Sequence, residues 1–181
     1  QVSEGNADFG VTSVRESPAG LTSILLLLDR FGVICHKQHP LAAKRAPIDL
    51  LEVAKYPAIG LNRANGLQST IESTAEVPQS LRTPSHEVSN VSLMAPFLER
   101  NVGVALLPAL AARNLRHLPV VFRPLKTLIS RQLYLVTRRG RSLSPAALSL
   151  VHLMFQYLMT LRGDPMLTVS ESEESLRRKL L

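Results

Sequence analysis

Tryptophan is absent from this 181-residue chain, and aromatic residues make up only 4% of it. The core must therefore be built from Leu, Val, Ile and Ala. Cysteine occurs once, at Cys35, which excludes an internal disulfide framework. Because it follows Phe31-Gly32-Val33-Ile34, Cys35 reads as a buried strand residue rather than a reactive thiol. No stretch approaches the roughly 18 apolar residues of a membrane span. The longest apolar run, Ile24–Leu28, has strand length. Gln1–Asp8 is polar and is no secretory leader, and with Gln rather than Met at position 1 the sequence is expected to be a fragment.

Acidic residues are missing from the whole stretch between Arg100 and Arg162, while the net charge is +7. Such a field can attract polyanions or small anions. The arginines fall mostly in loops and at strand ends, without interleaved aromatics or a basic helix, which favours a solvated basic surface over a nucleic-acid module. Catalytic motifs are lacking too. There is no glycine-rich phosphate loop, no GxSxG elbow and no pair of carboxylates at a strand end. The five histidines, His36, His39, His86, His117 and His152, form no metal-ligand spacing with Cys or acids. The expectation is a protein that is not an enzyme and holds no cofactor and no metal.

What is present is an alternation of short apolar runs with short amphipathic ones. Strands are expected at Phe9–Ser13, Leu21–Leu28, Phe31–Cys35, Ala58–Leu61, Val104–Leu107, Val120–Arg123 and Arg131–Thr137. Glu16–Gly20 and Glu76–Gln79 read as turns, and Arg82–Val88 as extended chain. Helices are expected over Ile48–Lys55, Gly66–Ala75, Ser92–Arg100 and Ala109–Asn114, and from Ser144-Pro145 to about Leu161. His39-Pro40-Leu41-Ala42 reads as a loop, and Met166–Leu181 as a tail with a frayed helix over Glu171–Leu181. The segment Val91–Pro108 is the most informative. Met94, Phe97 and Leu98 share a helical face, and Pro96 should kink the helix unless it lies in the first turn. Gly103 is expected to leave the helix with positive φ, and Pro108 to stop the strand. The pattern is that of an open α/β sheet.

Polar residues recur at the ends of the expected strands. Thr12 and Ser13 follow one strand. Asn62, Arg63 and Asn65 follow another, directly before a helix, and Ser89 and Asn90 open a third element. Helix starts favour anions, and Arg63 is a candidate charge partner. The same residues also serve as caps and turn formers, so spacing alone does not separate the two roles.

In order and spacing, several segments resemble the effector-binding domain of LysR-type transcriptional regulators. They are Val2…Gly5-Asn6-Ala7-Asp8-Phe9-Gly10-Val11, Leu28–Cys35, His39-Pro40-Leu41-Ala42, Ile48-Asp49-Leu50, Tyr56-Pro57-Ala58-Ile59, Val91…Phe97-Leu98…Asn101–Pro108, Arg131–Val136 and Ser144-Pro145-Ala146-Ala147. The resemblance spans roughly residues 1–161. It implies an α/β fold with two Rossmann-like lobes, as in type 2 periplasmic binding proteins, the first lobe incomplete at its amino end and exposing a sheet edge. Lobe I would comprise residues 1–34 and 122–162, lobe II residues 35–121, and a C-terminal tail residues 163–181, with crossings near Val33–His36 and Val120–Pro124.

The implied function is ligand sensing in a cytoplasmic, bacterial, homo-oligomeric regulator. A small anionic inducer, such as a carboxylate, would bind in the interlobe cleft and close the lobes. By position, the implied contacts are Thr12 and Ser13 from the first lobe, and Leu61, Asn62, Arg63, Asn65, Gly66, Val88, Ser89 and Gly103 from the second. DNA would be bound only through a winged helix-turn-helix outside this sequence, and no membrane is involved. The alternative is a solute-binding protein of a transporter, which shares the architecture.

Overall fold

The computed structural model describes residues 1–13, 19–170 and 174. The chain divides into two compact units, Gln1–Asp29 with Gln132–Leu181, and Arg30–Arg131. These boundaries fall earlier than the expected first crossing and later than the expected second one. The pairing of the strands explains the difference.

One strand, β2 (Leu21–His36), runs unbroken where two were expected. The charged pair Asp29-Arg30 does not interrupt it, and Asp29 is completely buried within the strand. From Phe31 onward β2 belongs to the second unit, where Phe31 N–H donates to the Ile129 carbonyl (2.8 Å). There it lies antiparallel to β5 (Ala105–Pro108), with Phe31 opposite Pro108 and Ile34 opposite Ala105. On its other side it pairs with β6 (Val120–Pro124), with Gly32 opposite Pro124 and His36 opposite Val120. Residues 120–124 thus lie inside the second unit and not at its border.

A parallel pair, β3 (Ile59–Leu61) and β4 (His86–Val88), extends this arrangement. A single parallel bridge, Ala58 to Val104, joins it to β5. The period-two alternation of side chains then explains why β3, β5 and the Phe31–Cys35 part of β2 are apolar throughout. Phe31, Val33, Cys35, Val104 and Leu106 point into one cluster, together with α1 (Leu50–Val53), α2 (Gly66–Ser73) and α3 (Gln79–Arg82). Ile34, Ala105 and Leu107 point into a second cluster, with Met94 and Leu98 around α4 (Ala95–Glu99) and Ala112 of α5 (Ala109–Ala112). The sheet of this unit is covered on both faces.

In the first unit, β1 (Phe9–Thr12) pairs antiparallel with β7 (Ser130–Arg138), placing Thr12 opposite Tyr134. The 16-residue helix α6 (Pro145–Thr160) buries Ala147, Val151, Phe155 and Leu158. Its start is the one expected. Ser144 Oγ accepts from Ala147 N–H (3.2 Å), and Pro145 stands where no intrahelical N–H is needed. The expected tail contains a strand, β8 (Leu167–Val169), antiparallel to β2 with Leu27 opposite Val169. Apart from Glu174, the helix expected over Glu171–Leu181 lies outside the described residues, as does most of the Glu16–Gly20 turn.

Three local expectations are corrected. His39-Pro40-Leu41-Ala42 is not a loop: Pro40–Ala43 forms a 3-10 turn that His39 caps, its Nδ1 accepting from Leu41 N–H (3.2 Å). Arg82–Val88 is extended only from His86, because Arg82 closes α3. The residue with positive φ after α4 is Asn101 (53°), not Gly103. Asn101 N–H bonds the Leu98 carbonyl and Val102 N–H bonds the Phe97 carbonyl, the pattern of a Schellman ending. Pro96 sits in the first turn of α4, so no kink arises.

Gly103 serves close approach instead. A β-carbon there would lie 2.3 Å from the Pro57 carbonyl oxygen, beside the hydrogen bond from Val104 N–H to that oxygen (2.9 Å). Backbone cannot yield as a flexible side chain does. Gly103→Ala is therefore expected to destabilise the second unit by about 1–3 kcal/mol, read as a lower urea midpoint. An unchanged midpoint would show that β3 and β5 are not held this tightly.

Candidate functional site

In the parallel β3–β4 pair, Leu61 stands opposite Val88, so both strands end at the same edge. In open α/β sheets the carboxyl ends of strands are where ligands bind. Asn62 N–H continues the pairing by donating to the Val88 carbonyl (3.1 Å). The chain then turns, with Asn65 N–H donating to the Asn62 carbonyl (2.9 Å), and enters α2. Asn65 caps that helix, its Oδ1 accepting from Leu67 N–H (3.0 Å), and Gly66 is the first helical residue. After Val88 the exposed Ser89 leads to Asn90, whose Oδ1 accepts from Leu93 N–H (3.2 Å) at the start of a 3-10 turn over Val91–Met94.

Six of the expected positions in this unit, Leu61, Asn62, Asn65, Gly66, Val88 and Ser89, thus converge on one strand-end edge. Leu61 is buried and Val88 half-buried, so they form its floor rather than its rim. The start of α2 contributes its N–H groups and the positive end of its dipole. Arg63 belongs to the same loop but is turned along α2, where its Nε lies 3.4 Å from Glu72 Oε1. That oxygen is buried and accepts no hydrogen bond in the described structure. The Arg63 side chain is 75% exposed, so this is a weak surface ion pair that leaves the guanidinium able to reorient.

Gly103 is not part of this edge. It packs on Pro57, at the amino end of β3, while Leu61 marks the carboxyl end. In the first unit, Thr12 is the last residue of β1 and Ser13 is exposed just beyond it.

Two residues absent from the expected set shape the edge. Gln68 of α2 is buried and donates from Nε2 to the Arg82 carbonyl (3.0 Å), fastening α2 to α3. Leu93, in the turn that Asn90 caps, is a large apolar side chain left 48% exposed. Neither carries a sequence signal, since their placement depends on how α2 and the Val91–Met94 turn pack.

Among the described residues no cluster of His, Cys, Asp or Glu could hold a metal ion. His36 and His39 are both buried, each with Nδ1 accepting a backbone N–H. Burial, and then the neighbouring His36, lower the His39 pKa and favour a neutral ring packed edge-on against Tyr56. Burial pushes the Cys35 thiol up to about 11, with Arg123 opposing, so the thiolate is disfavoured at neutral pH.

The LysR substrate binding domain family matches residues 1–158. The chain belongs to that family. As a LysR-type domain it is similar to the HTH-type transcriptional regulators YfeR of Shigella flexneri and YbhD of Escherichia coli K12, at 29% identity to each. The matches cover 81% and 78% of this chain but 47% and 44% of those proteins, so the chain spans about half their length. Among solved structures, reduced OxyR from N. meningitidis superposes with a TM-score of 0.71 at 18% identity, over 94% of this chain and 78% of that one. The effector-binding domain of a BenM variant gives 0.67 at 17%, over 93% and 79%. That of QuiR in complex with shikimate gives 0.62 at 20%, over 86% and 74%. These likenesses show the fold, the mixed α/β architecture of periplasmic-binding-protein-like regulatory domains. No helix among the described residues is long and apolar enough to cross a membrane.

The edge separates capping from charge. Asn65→Ala should cost about 1 kcal/mol of stability by removing a cap, while Arg63→Ala should stay within about 0.5 kcal/mol of the parent. Urea unfolding of both variants checks this, and a larger loss for Arg63→Ala would contradict the weak ion pair.

Proposed function

We propose that this domain senses a small anionic effector, of the carboxylate type, held at the β3–β4 edge. The observation that carries the reading is the in-register ending of Leu61 and Val88, which brings Asn62, Asn65, Gly66 and Ser89 together beside the start of α2. Asn62 and Ser89 supply hydrogen bonds, backbone N–H groups at the helix start favour negative charge, and Arg63 leaves Glu72 to pair with the ligand. Leu93 offers an apolar contact for the ligand's carbon frame. For the first unit, Thr12 and Ser13 at the carboxyl end of β1 are the proposed contacts.

The domain works within a cytoplasmic, homo-oligomeric transcription regulator and catalyses nothing itself, and DNA is contacted outside residues 1–181. The effector acts by preferring one arrangement of the regulator over another, since equal affinity for both would shift nothing. The one cysteine cannot form an intrachain disulfide, and its burial disfavours the reactive thiolate, which speaks for ligand rather than thiol sensing. Neighbours of this fold bind small molecules, shikimate for QuiR and 2-PG for CcmR of Synechocystis PCC6803.

Calorimetric titration with aromatic and short dicarboxylic acids, shikimate included, tests the reading. At least one acid is expected to bind, and Arg63→Ala should weaken it by about 10-fold or more, as for loss of a charge-assisted hydrogen bond. Affinities unchanged in both Arg63→Ala and Thr12→Ala would refute the assignment.

A further inference from the structure

The start of α2 borders the β3–β4 edge, yet the helix is only eight residues long, Gly66–Ser73. A helix that short is not stable alone, so contacts outside it must fix where its start points. Both ends of α2 are tied to one residue, Arg82, which closes α3. At the far end Arg82 Nε donates to the Val77 carbonyl (2.7 Å), and its Nη2 to those of Ala75 (2.7 Å) and Thr74 (3.0 Å). At the near end the Arg82 carbonyl accepts from Gln68 Nε2 (3.0 Å).

Gln68 is the third residue of α2, a position from which a Gln side chain can turn back to bond the N–H of the cap. In this helix the Asn65 N–H donates to the Asn62 carbonyl instead, and the Gln68 amide reaches Arg82. The side chain is buried against the middle of β3. A β-carbon on Gly60 would lie 3.1 Å from Gln68 Oε1 and 2.6 Å from Pro84 Cγ, so the slot exists because position 60 carries no side chain.

Given the effector reading proposed above, on which this rests, we infer that Gln68 and Arg82 are positioning residues of the effector edge. They fix the direction of the α2 start without touching the effector. Swinging α2 across β3 breaks a tie at each end and leaves the buried Gln68 amide without its acceptor, which costs more than the bond itself contributes. The planar guanidinium, with its donors in a fixed fork, suits several carbonyls at once, whereas a lysine ammonium offers a point charge.

Amide hydrogen exchange of the unliganded 181-residue chain tests the anchoring. Gln68→Met keeps the side chain's length and removes its polar end. The amides of residues 67–69, which all donate to Asn65, should accelerate at least about 5-fold more than the Val33–Cys35 amides of β2. Arg82→Lys should give the same pattern. Calorimetric titration with aromatic and short dicarboxylic acids, shikimate included, should show the acid that binds the parent weakened at least about 5-fold by either variant. Unchanged exchange at 67–69, or equal acceleration in β2, which marks a general loss of stability, would overturn the anchoring. Faster exchange at 67–69 with undiminished affinity would overturn the positioning role. If no acid binds the parent, the effector reading fails and takes the positioning role with it, while the exchange rates still decide whether Gln68 and Arg82 anchor α2.

Discussion

The parallel register of β3 and β4 is the constraint on which the candidate site depends. With Leu61 opposite Val88, two chain segments more than twenty residues apart leave the sheet at one edge, and each meets a capped turn within a few residues. A slip of one residue would turn the buried Ile59 and Leu61 away from Met94 and Leu98 and force them into the cluster on the opposite face. The site therefore inherits its geometry from the core. The polar loop residues need only satisfy the helix starts and leave the remaining donors facing outward.

That pair is held in turn beside the Pro57–Gly103 approach, where Val104 N–H donates to the Pro57 carbonyl (2.9 Å) and Ile59 N–H to the Val104 carbonyl (2.8 Å). Gly103 thus supports the site from the far end of the strand and does not line it. The link from β5 onward runs through β2, whose side chains alternate between the two apolar clusters. Packing on both faces leaves few conformations open to β3, and rigidity of that kind is what a recognition edge needs.

Local signals were legible in the sequence and long-range ones were not. Ser144-Pro145 and Asn65-Gly66 announce helix starts because the cap and the helix are adjacent in the chain. The carboxyl-end loop after β3 was legible for the same reason, and the family resemblance supplied its setting. Gly103 was misread because a glycine needed for close approach and one needed for positive φ look alike until the opposing backbone is known. Asp29-Arg30 suggested a break because adjacent charges seldom sit inside a buried strand, yet β2 passes through them. The strand Leu167–Val169 was hidden because three residues carry no period, and only the edge of β2 gives them a partner. Gln68 is buried and Leu93 is 48% exposed for reasons that lie wholly in tertiary packing.

Mapping amide chemical shifts by heteronuclear NMR while a binding carboxylic acid is added tests the central claim most directly. Saturable shifts are expected for the amides of Asn62–Gly66 and Ser89–Leu93, larger there than for the His36–Leu41 corner or for α6. Saturable shifts confined to other segments, with both of these turns silent, would contradict the placement of the effector at the β3–β4 edge.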